Sequence, residues 1–275
     1  MAKQRVLITV KTYPTLSRKY GETVCTAGVR EDGTWLRIYP VPFRRLSEEQ
    51  QYSKFDWLEA QLVRNTTDPR PETYRPLDER ELEARVAHMG TDDNWRERRR
   101  LLLQTARVYD RLDELISGAK ANEVSLAVFK PTSVIDFFWE EDDRDWNPDK
   151  VRQMRDATKQ YDLFADNTWR ETFKLIAKLP YSFSYKFEDA AGRPSELQVL
   201  DWEAGALYWN CLQSADGDEA KALAKVRHKY LEEFRQKDLH FFLGTTQQFH
   251  FIAPNPWVII GVLPIPHETQ LGLFG

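Results

Sequence analysis

The chain has 275 residues, 41% hydrophobic, 30% charged and 13% aromatic, with a net charge of −4. That composition excludes a disordered chain and a uniformly basic nucleic-acid coat. Cys25 and Cys211 give neither a disulfide framework nor a metal cluster and read as free thiols. The apolar run from Val6 to Val10 is too short for a signal-peptide core, and no stretch reaches bilayer-spanning length, so a cytoplasmic protein without a membrane partner is expected.

Arg5–Tyr13 reads as a strand. Glu22–Arg30 and Trp35–Val41 flank Glu31-Asp32-Gly33-Thr34, and Asp-Gly between two β-prone runs predicts a hairpin. Ser47 as N-cap predicts a short helix within Leu46–Phe55. Asp56–Arg64 returns to strand, Thr66–Arg75 reads as a loop holding Pro69 and Pro71, and Tyr74–Leu77 as a short strand. Glu79–Met89 fits helix or strand. Leu101, Leu102, Thr105, Val108, Leu112, Leu115 and Ile116 recur at helical spacing and predict one long helix near 93–117, stopped at Gly118.

Ser125–Phe138 is β-prone around Pro131, Glu140–Asp145 is an acidic run, and Asn147-Pro148-Asp149 opens a helix toward Phe164. Leu179–Phe187 and Glu196–Trp202 read as strands. Ala204–Leu212 and Asp218–Gln236 read as helices. Leu239–Leu243, Phe249–Ile252 and Trp257–Leu263 read as closing strands, followed by a soft tail. Strands and helices do not alternate regularly, so the pattern predicts a mainly β fold with inserted helices (α+β), built as two small barrels and not as a doubly wound parallel sheet. The boundaries expected are 1–120, 121–265 and a tail 266–275.

Charge is unevenly spread. Residues 1–45 hold nine Lys/Arg and three acids, a local balance of +6 in a chain of net −4. Such a segment can draw a polyanion to one face. Strand alternation puts Leu36 and Ile38 on one side of Trp35–Tyr39, with Trp35, Arg37 and Tyr39 on the other. The second side is either packed under a neighbouring element or exposed for base stacking, with Lys11, Tyr13, Arg18, Lys19, Arg44 and Arg45 near enough to meet phosphates. Tyr181, Phe183, Tyr185 and Phe187 repeat with period two, and the polar Ser182, Ser184 and Lys186 opposite them favour a core row over a stacking platform. Catalytic motifs are absent: there is no phosphate loop, G-x-S-x-G or H-E-x-x-H. His240 and His250 read as histidines bonded within the fold, and Asp136, Glu140 and Asp142 as a solvated charge run. No catalytic residue, metal ligand or cofactor is assigned.

Residues 270–274 read Gln-Leu-Gly-Leu-Phe. The segment resembles the short peptide by which bacterial polymerases and repair proteins dock to the DNA polymerase sliding clamp. Leu271, Leu273 and Phe274 would enter apolar pockets and Gln270 would bond at the rim. The alternative is that the segment folds back as a last strand.

Several blocks carry a wider resemblance: Lys11-Thr12-Tyr13-Pro14, Glu22 through Gly28, Trp35-Leu36-Arg37-Ile38-Tyr39-Pro40-Val41-Pro42-Phe43-Arg44, Phe129-Lys130-Pro131-Thr132 and Phe242-Leu243-Gly244-Thr245-Thr246. They resemble a bacterial family of dual OB domain-containing proteins, over nearly the whole chain to about residue 265. The resemblance implies two OB-like barrels and, by analogy, an oligonucleotide-binding surface. The function expected is a non-enzymatic accessory protein that binds single-stranded or structured nucleic acid in repair, replication or phage defence and docks to the clamp. The alternatives are a metal-dependent nuclease or phosphoesterase, and a protein–protein adaptor without nucleic acid.

Overall fold

A computed structural model describes residues 3–17, 21–41, 43–78, 83–161 and 175–267. β1 (Gln4–Lys11) is buried on both faces through Val6, Leu7, Ile8 and Val10, as an unbroken apolar run requires. β2 (Thr15–Ser17) pairs with the start of β3 (Gly21–Val29). β3 turns through Asp32-Gly33 into β4 (Trp35–Val41), with Gly33 at the positive φ of 83° that few other residues tolerate. A single 3-10 turn at Phe43–Arg45 follows, and 47–55 stays non-helical, so the helix expected from Ser47 does not form. The polar stretch there offers too few apolar side chains to hold a helix against the sheet.

β5 (Asp56–Ala60) pairs with β1, β6 (Leu62–Arg64) with β7 (Thr73–Pro76), and β8 (Glu83–His88) with β5, all antiparallel, while β7 runs parallel to β4. The order across the sheet is β6-β7-β4-β3-β1-β5-β8. β5 passes into β6 through Gln61 alone, so the two sides of that order are one stretch of chain and the sheet curls round on itself. Gln4 Nε2 in β1 accordingly donates to Leu62 O in β6 at 3.3 Å.

The predicted long helix is broken. α1 (Asp92–Arg99) continues as a π-helical turn, Arg100–Thr105, and the chain then extends into β9 (Val108–Tyr109) before α2 (Leu112–Lys120). Val108 and Tyr109 pair in parallel with Val128 and Phe129 of β10 (Leu126–Phe129), a tertiary pairing that overrides local helical periodicity. β11 (Ser133–Glu141), then α3 (Pro148–Tyr161), β12 (Tyr181–Glu188) and β13 (Pro194–Gln198) follow, with the three strands in an antiparallel meander. α4 (Trp202–Ser214), α5 (Glu219–Arg227) and a π-helical turn, His228–Glu233, lead to the hairpin of β14 (Asp238–Thr245) and β15 (Trp257–Ile265). β14 pairs with β10, and a parallel bridge joins Val199 to Ile259. Because β10 leads directly into β11, the two sheets of the second half follow one another round in the order β11-β12-β13-β15-β14-β10, joined at one side by that bridge.

The fold is mainly β with several helices. Tyr181, Phe183, Tyr185 and Phe187 are all buried, forming the core row that their alternation predicts. A separate cluster unites Leu7, Val10 and Val29 with Leu126, Val128, Phe242 and Ile260, so the halves share a core at their junction. Residues 249–252 form turns, not the expected strand. No described helix is long and apolar enough to cross a membrane.

Candidate functional site

A cavity of about 520 Å3 opens at the junction of the two halves, within the range of about 300–1,000 Å3 typical of small-ligand sites. Each half contributes the same four kinds of segment. The first supplies Thr12–Thr15 after its first strand, Cys25 in β3, Tyr39 in β4 and Arg70 in the loop before β7. The second supplies Asp142, Trp146 and Lys178 after β11, Ser182 and Phe183 in β12, Gln198 in β13, and Thr246–Gln248 before β15.

The walls are aromatic and their charges are countered. Arg70 is buried, donates Nε to Asp68 Oδ1 at 2.8 Å, and donates Nη1 to the Thr245 carbonyl. Burial raises the Asp68 carboxyl pKa, but the Arg70 bonds and charge outweigh it and hold that carboxyl below its ordinary range. Lys178 Nζ lies 2.9 Å from Asp142 Oδ2 and holds that carboxyl low by its hydrogen bond. The Tyr13 hydroxyl donates to Ala177 O at 2.8 Å and accepts from Trp209 Nε1 at 2.9 Å. Trp146 Nε1 donates to Ile176 O at 2.8 Å. Among the described residues the buried Thr246 Oγ1 has no hydrogen-bond partner. The cavity therefore offers ring faces, amides, a free thiol at Cys25 and an unsatisfied hydroxyl, but no uncompensated cation.

Among the described residues, Tyr13 and Tyr39 are the expected nucleic-acid residues that line this cavity. Arg37 is not on an exposed face. It is 1% exposed and donates to Ser125 Oγ at 2.8 Å, Ser125 O at 3.0 Å and Thr73 Oγ1 at 3.1 Å. Trp35 packs edge-on against Phe242 at 5.7 Å, so its ring also serves the junction and not an open surface. The physical reason is common to both: the second half covers the side of β4 that alternation leaves outside the core of the first sheet. The Lys11 ammonium stands 4.1 Å from the Phe43 ring and 4.6 Å from that of Trp202, and burial lowers its pKa to about 8. Arg44 pairs with Glu22 at 2.6 Å. Arg18, Lys19, Gln270, Leu271, Leu273 and Phe274 lie outside the described residues, as does the side chain of Arg45.

Sequence reasoning missed Arg70, Trp146, Lys178, Gln198 and Thr246–Gln248, which gain their meaning only when segments far apart converge. It also missed a ring–cation cluster on the first sheet. The guanidinium carbons of Arg30 and Arg64 flank Tyr74 at 5.4 and 5.3 Å from its ring centre, and neither arginine has a carboxylate partner among the described residues. His240 Nδ1 lies 3.1 Å from Asp238 O, and His250 bonds Thr245 and Asn122, so each is engaged within the fold. Asp136 pairs with Arg227. Among the described residues no three His, Cys, Asp or Glu side chains gather as a metal site would need.

Residues 2–104 match the family described as Domain of unknown function (DUF8758), and residues 108–275 match Domain of unknown function (DUF8757). No curated protein matches. Among solved structures, a murine DNA-binding protein bound with double-stranded DNA aligns over 98% of this chain and 100% of its own, at 9% identity and a TM-score of 0.31, a likeness too slight to carry argument. The match over 108–275 takes in more than half of the residues, and the chain belongs to the family described as Domain of unknown function (DUF8757).

Proposed function

We propose that this protein is a nucleic-acid-associated binding protein made of two OB-like barrels, 1–120 and 121–265, which present one shared site, with a tail, 266–275, that docks to the bacterial sliding clamp. The observation that carries the reading is the cavity built from corresponding segments of both halves. In each half three strands form an antiparallel meander (β1, β3, β4 and β11, β12, β13), the chain at the third lies parallel to a later strand (β7 and β15), and a strand between them pairs back, β5 with β1 and β14 with the β10 that leads into β11. That order supports the OB-like reading. OB barrels bind oligonucleotides on the face of strands two and three, between the loops after strand one and before strand five. The cavity lining falls on those segments in both halves.

Phosphate contacts are assigned to Arg30 and Arg64 around Tyr74 and to Arg18 and Lys19. Anisotropy of a labelled single-stranded oligonucleotide tests the reading. Binding is expected at low salt and weakens as salt rises, and Arg30→Ala with Arg64→Ala flattens that dependence. No binding at low salt overturns the reading and favours an adaptor. For the tail, Leu273→Ala with Phe274→Ala abolishes clamp binding and leaves the melting temperature unchanged. Loss of several kcal/mol of stability, at about 1.5–3 kcal/mol per buried side chain, would instead make the tail part of the core.

A further inference from the structure

We infer that the junction cavity receives one unstacked nucleobase, and that Phe249, Phe251 and Ile252 act as an apolar wedge against the strand that supplies it. The inference rests on the nucleic-acid reading above and goes further by naming which part of the polymer enters. A phosphate entering the cavity would lose water and find Arg70 and Lys178 already held by Asp68 and Asp142. A base is flat and uncharged and carries donors and acceptors on its edge. The rings of Tyr39 and Trp146 offer it stacking faces, and Gln248 and the unpartnered Thr246 hydroxyl offer it hydrogen bonds.

The wedge begins one residue beyond Gln248, which lines the cavity. Phe249, Phe251 and Ile252 are 46%, 51% and 73% exposed, an unusual density of apolar surface for one loop. The loop is nonetheless pinned. His250 between them is fully buried, with Nδ1 2.9 Å from Thr245 Oγ1 and Nε2 3.0 Å from Asn122 Oδ1. Asn122 Nδ2 donates to Pro69 O at 3.1 Å, which fixes the amide so that Oδ1 faces the imidazole. His250 therefore donates from Nε2 and accepts the Thr245 hydroxyl proton at Nδ1. Gln247 Nε2 donates to Thr67 O at 2.8 Å. An apolar tip held rigid by buried polar bonds suits insertion into a base stack, where side chains of this kind fill the space an extruded base leaves.

Cys25, a half-buried free thiol in the cavity wall, serves as a reporter, with the buried Cys211 as internal reference. The full-length protein is treated with a maleimide in the presence of an oligonucleotide duplex carrying one unpaired base, the same duplex with an abasic site there, a free nucleoside, or a tryptophan-containing peptide. The unpaired-base duplex is expected to slow Cys25 alkylation about tenfold at about nine-tenths occupancy, and the abasic duplex to leave it unchanged. Protection by free nucleoside at higher concentration shows that the base alone suffices and supports the assignment. In a second arm, the emission of 2-aminopurine at the unpaired position changes when the wild type binds, as the base leaves its neighbours in the duplex for the cavity. Phe249→Ala with Ile252→Ala loses that signal while keeping salt-sensitive binding. If the duplexes bind but neither protect Cys25 nor alter 2-aminopurine emission, the base pocket is overturned and the nucleic-acid reading stands. If no duplex binds, the underlying reading fails. Protection by the peptide alone overturns both.

Discussion

Arg37→Ala separates a structural arginine from a nucleic-acid contact. The guanidinium is held by three hydrogen bonds, two of them to Ser125 across the junction. Ser125 N in turn donates to Glu72 Oε1 at 2.9 Å, and its hydroxyl bonds Glu72 Oε2, so Arg37 and Glu72 form an ion pair relayed through one serine. Truncation leaves the Ser125 carbonyl and the Thr73 hydroxyl buried without their donor and removes the charge that faces Glu72. Breaking one side of a buried charged network costs about 3–5 kcal/mol. At about 2–4 °C per kcal/mol for a chain of this size, the melting temperature falls by about 6–20 °C. Arg75, exposed on β7, is the control, and its Ala variant stays within about 0.5 kcal/mol of wild type. The assay is urea unfolding followed by tryptophan fluorescence, with oligonucleotide affinity measured below the transition. If Arg37→Ala unfolds within about 1 kcal/mol of wild type yet loses nucleic-acid binding, the burial argument is refuted and the arginine is a surface contact.

Two further perturbations test the junction. In Gly205→Ala the new Cβ would stand 2.4 Å from Cδ2 and 2.6 Å from Cε2 of the Tyr13 ring, which its hydroxyl bonds hold in place; the expected loss is about 1–3 kcal/mol by overpacking, and an unchanged denaturation midpoint would show that the ring can move aside. His240 and His250 are both held below the ordinary histidine pKa of 6.5, chiefly by burial. Both states are neutral above that value; below it the unfolded chain takes up protons first, so stability falls from about pH 6.5 until the folded values are reached and is flat beneath them. Unfolding free energies measured on each side of that window check it, and His250→Gln with an unaltered slope would remove His250 from the account.

What was legible in the sequence follows from the range of the interactions involved. The Asp32-Gly33 hairpin and the Tyr181–Phe187 core row are written in local turn chemistry and in period two, and both stand in the fold. Arg37 shows the limit: alternation places Trp35, Arg37 and Tyr39 together, but nothing local reveals that Ser125, 88 positions away, covers that side. The segment 93–117 misleads for another reason. Leu101 and Leu102 serve the junction cluster while Leu112 and Leu115 serve the second core, so two amphipathic pieces in sequence mimic one helix. Phe249–Ile252 carries strand-like residues, yet His250 is the member drawn inward, and its bonds to Thr245 and Asn122 fix turns instead of a ladder. The cavity was illegible because its walls are assembled from segments of both halves.

The basic excess of residues 1–45 takes on a different meaning once the junction is seen. Arg37 bonds Ser125, and Lys11 faces Trp202. Beyond that segment, Lys54 bonds Asp201 and Glu203, and Arg70 bonds the Thr245 carbonyl. Each of these contacts runs from the first half to the second, and burial pushes the Asp201 carboxyl upward against the pull of Lys54, which marks how far that pair is withdrawn from water. Lys11 and Arg37, which read as part of a polyanion-binding face, thus help hold the two halves in register. The cavity lies at that register, with Tyr39 on one side and Gln198 on the other. A ligand touching both walls binds only the docked arrangement, so its binding free energy adds to the stability of the junction by mass action. Variants that loosen the junction outside the cavity lining, such as Arg37→Ala, therefore weaken the ligand without touching it, whereas Phe249→Ala and Ile252→Ala act on the ligand while leaving the junction intact. That asymmetry distinguishes a site built between the two halves from one carried by either half alone.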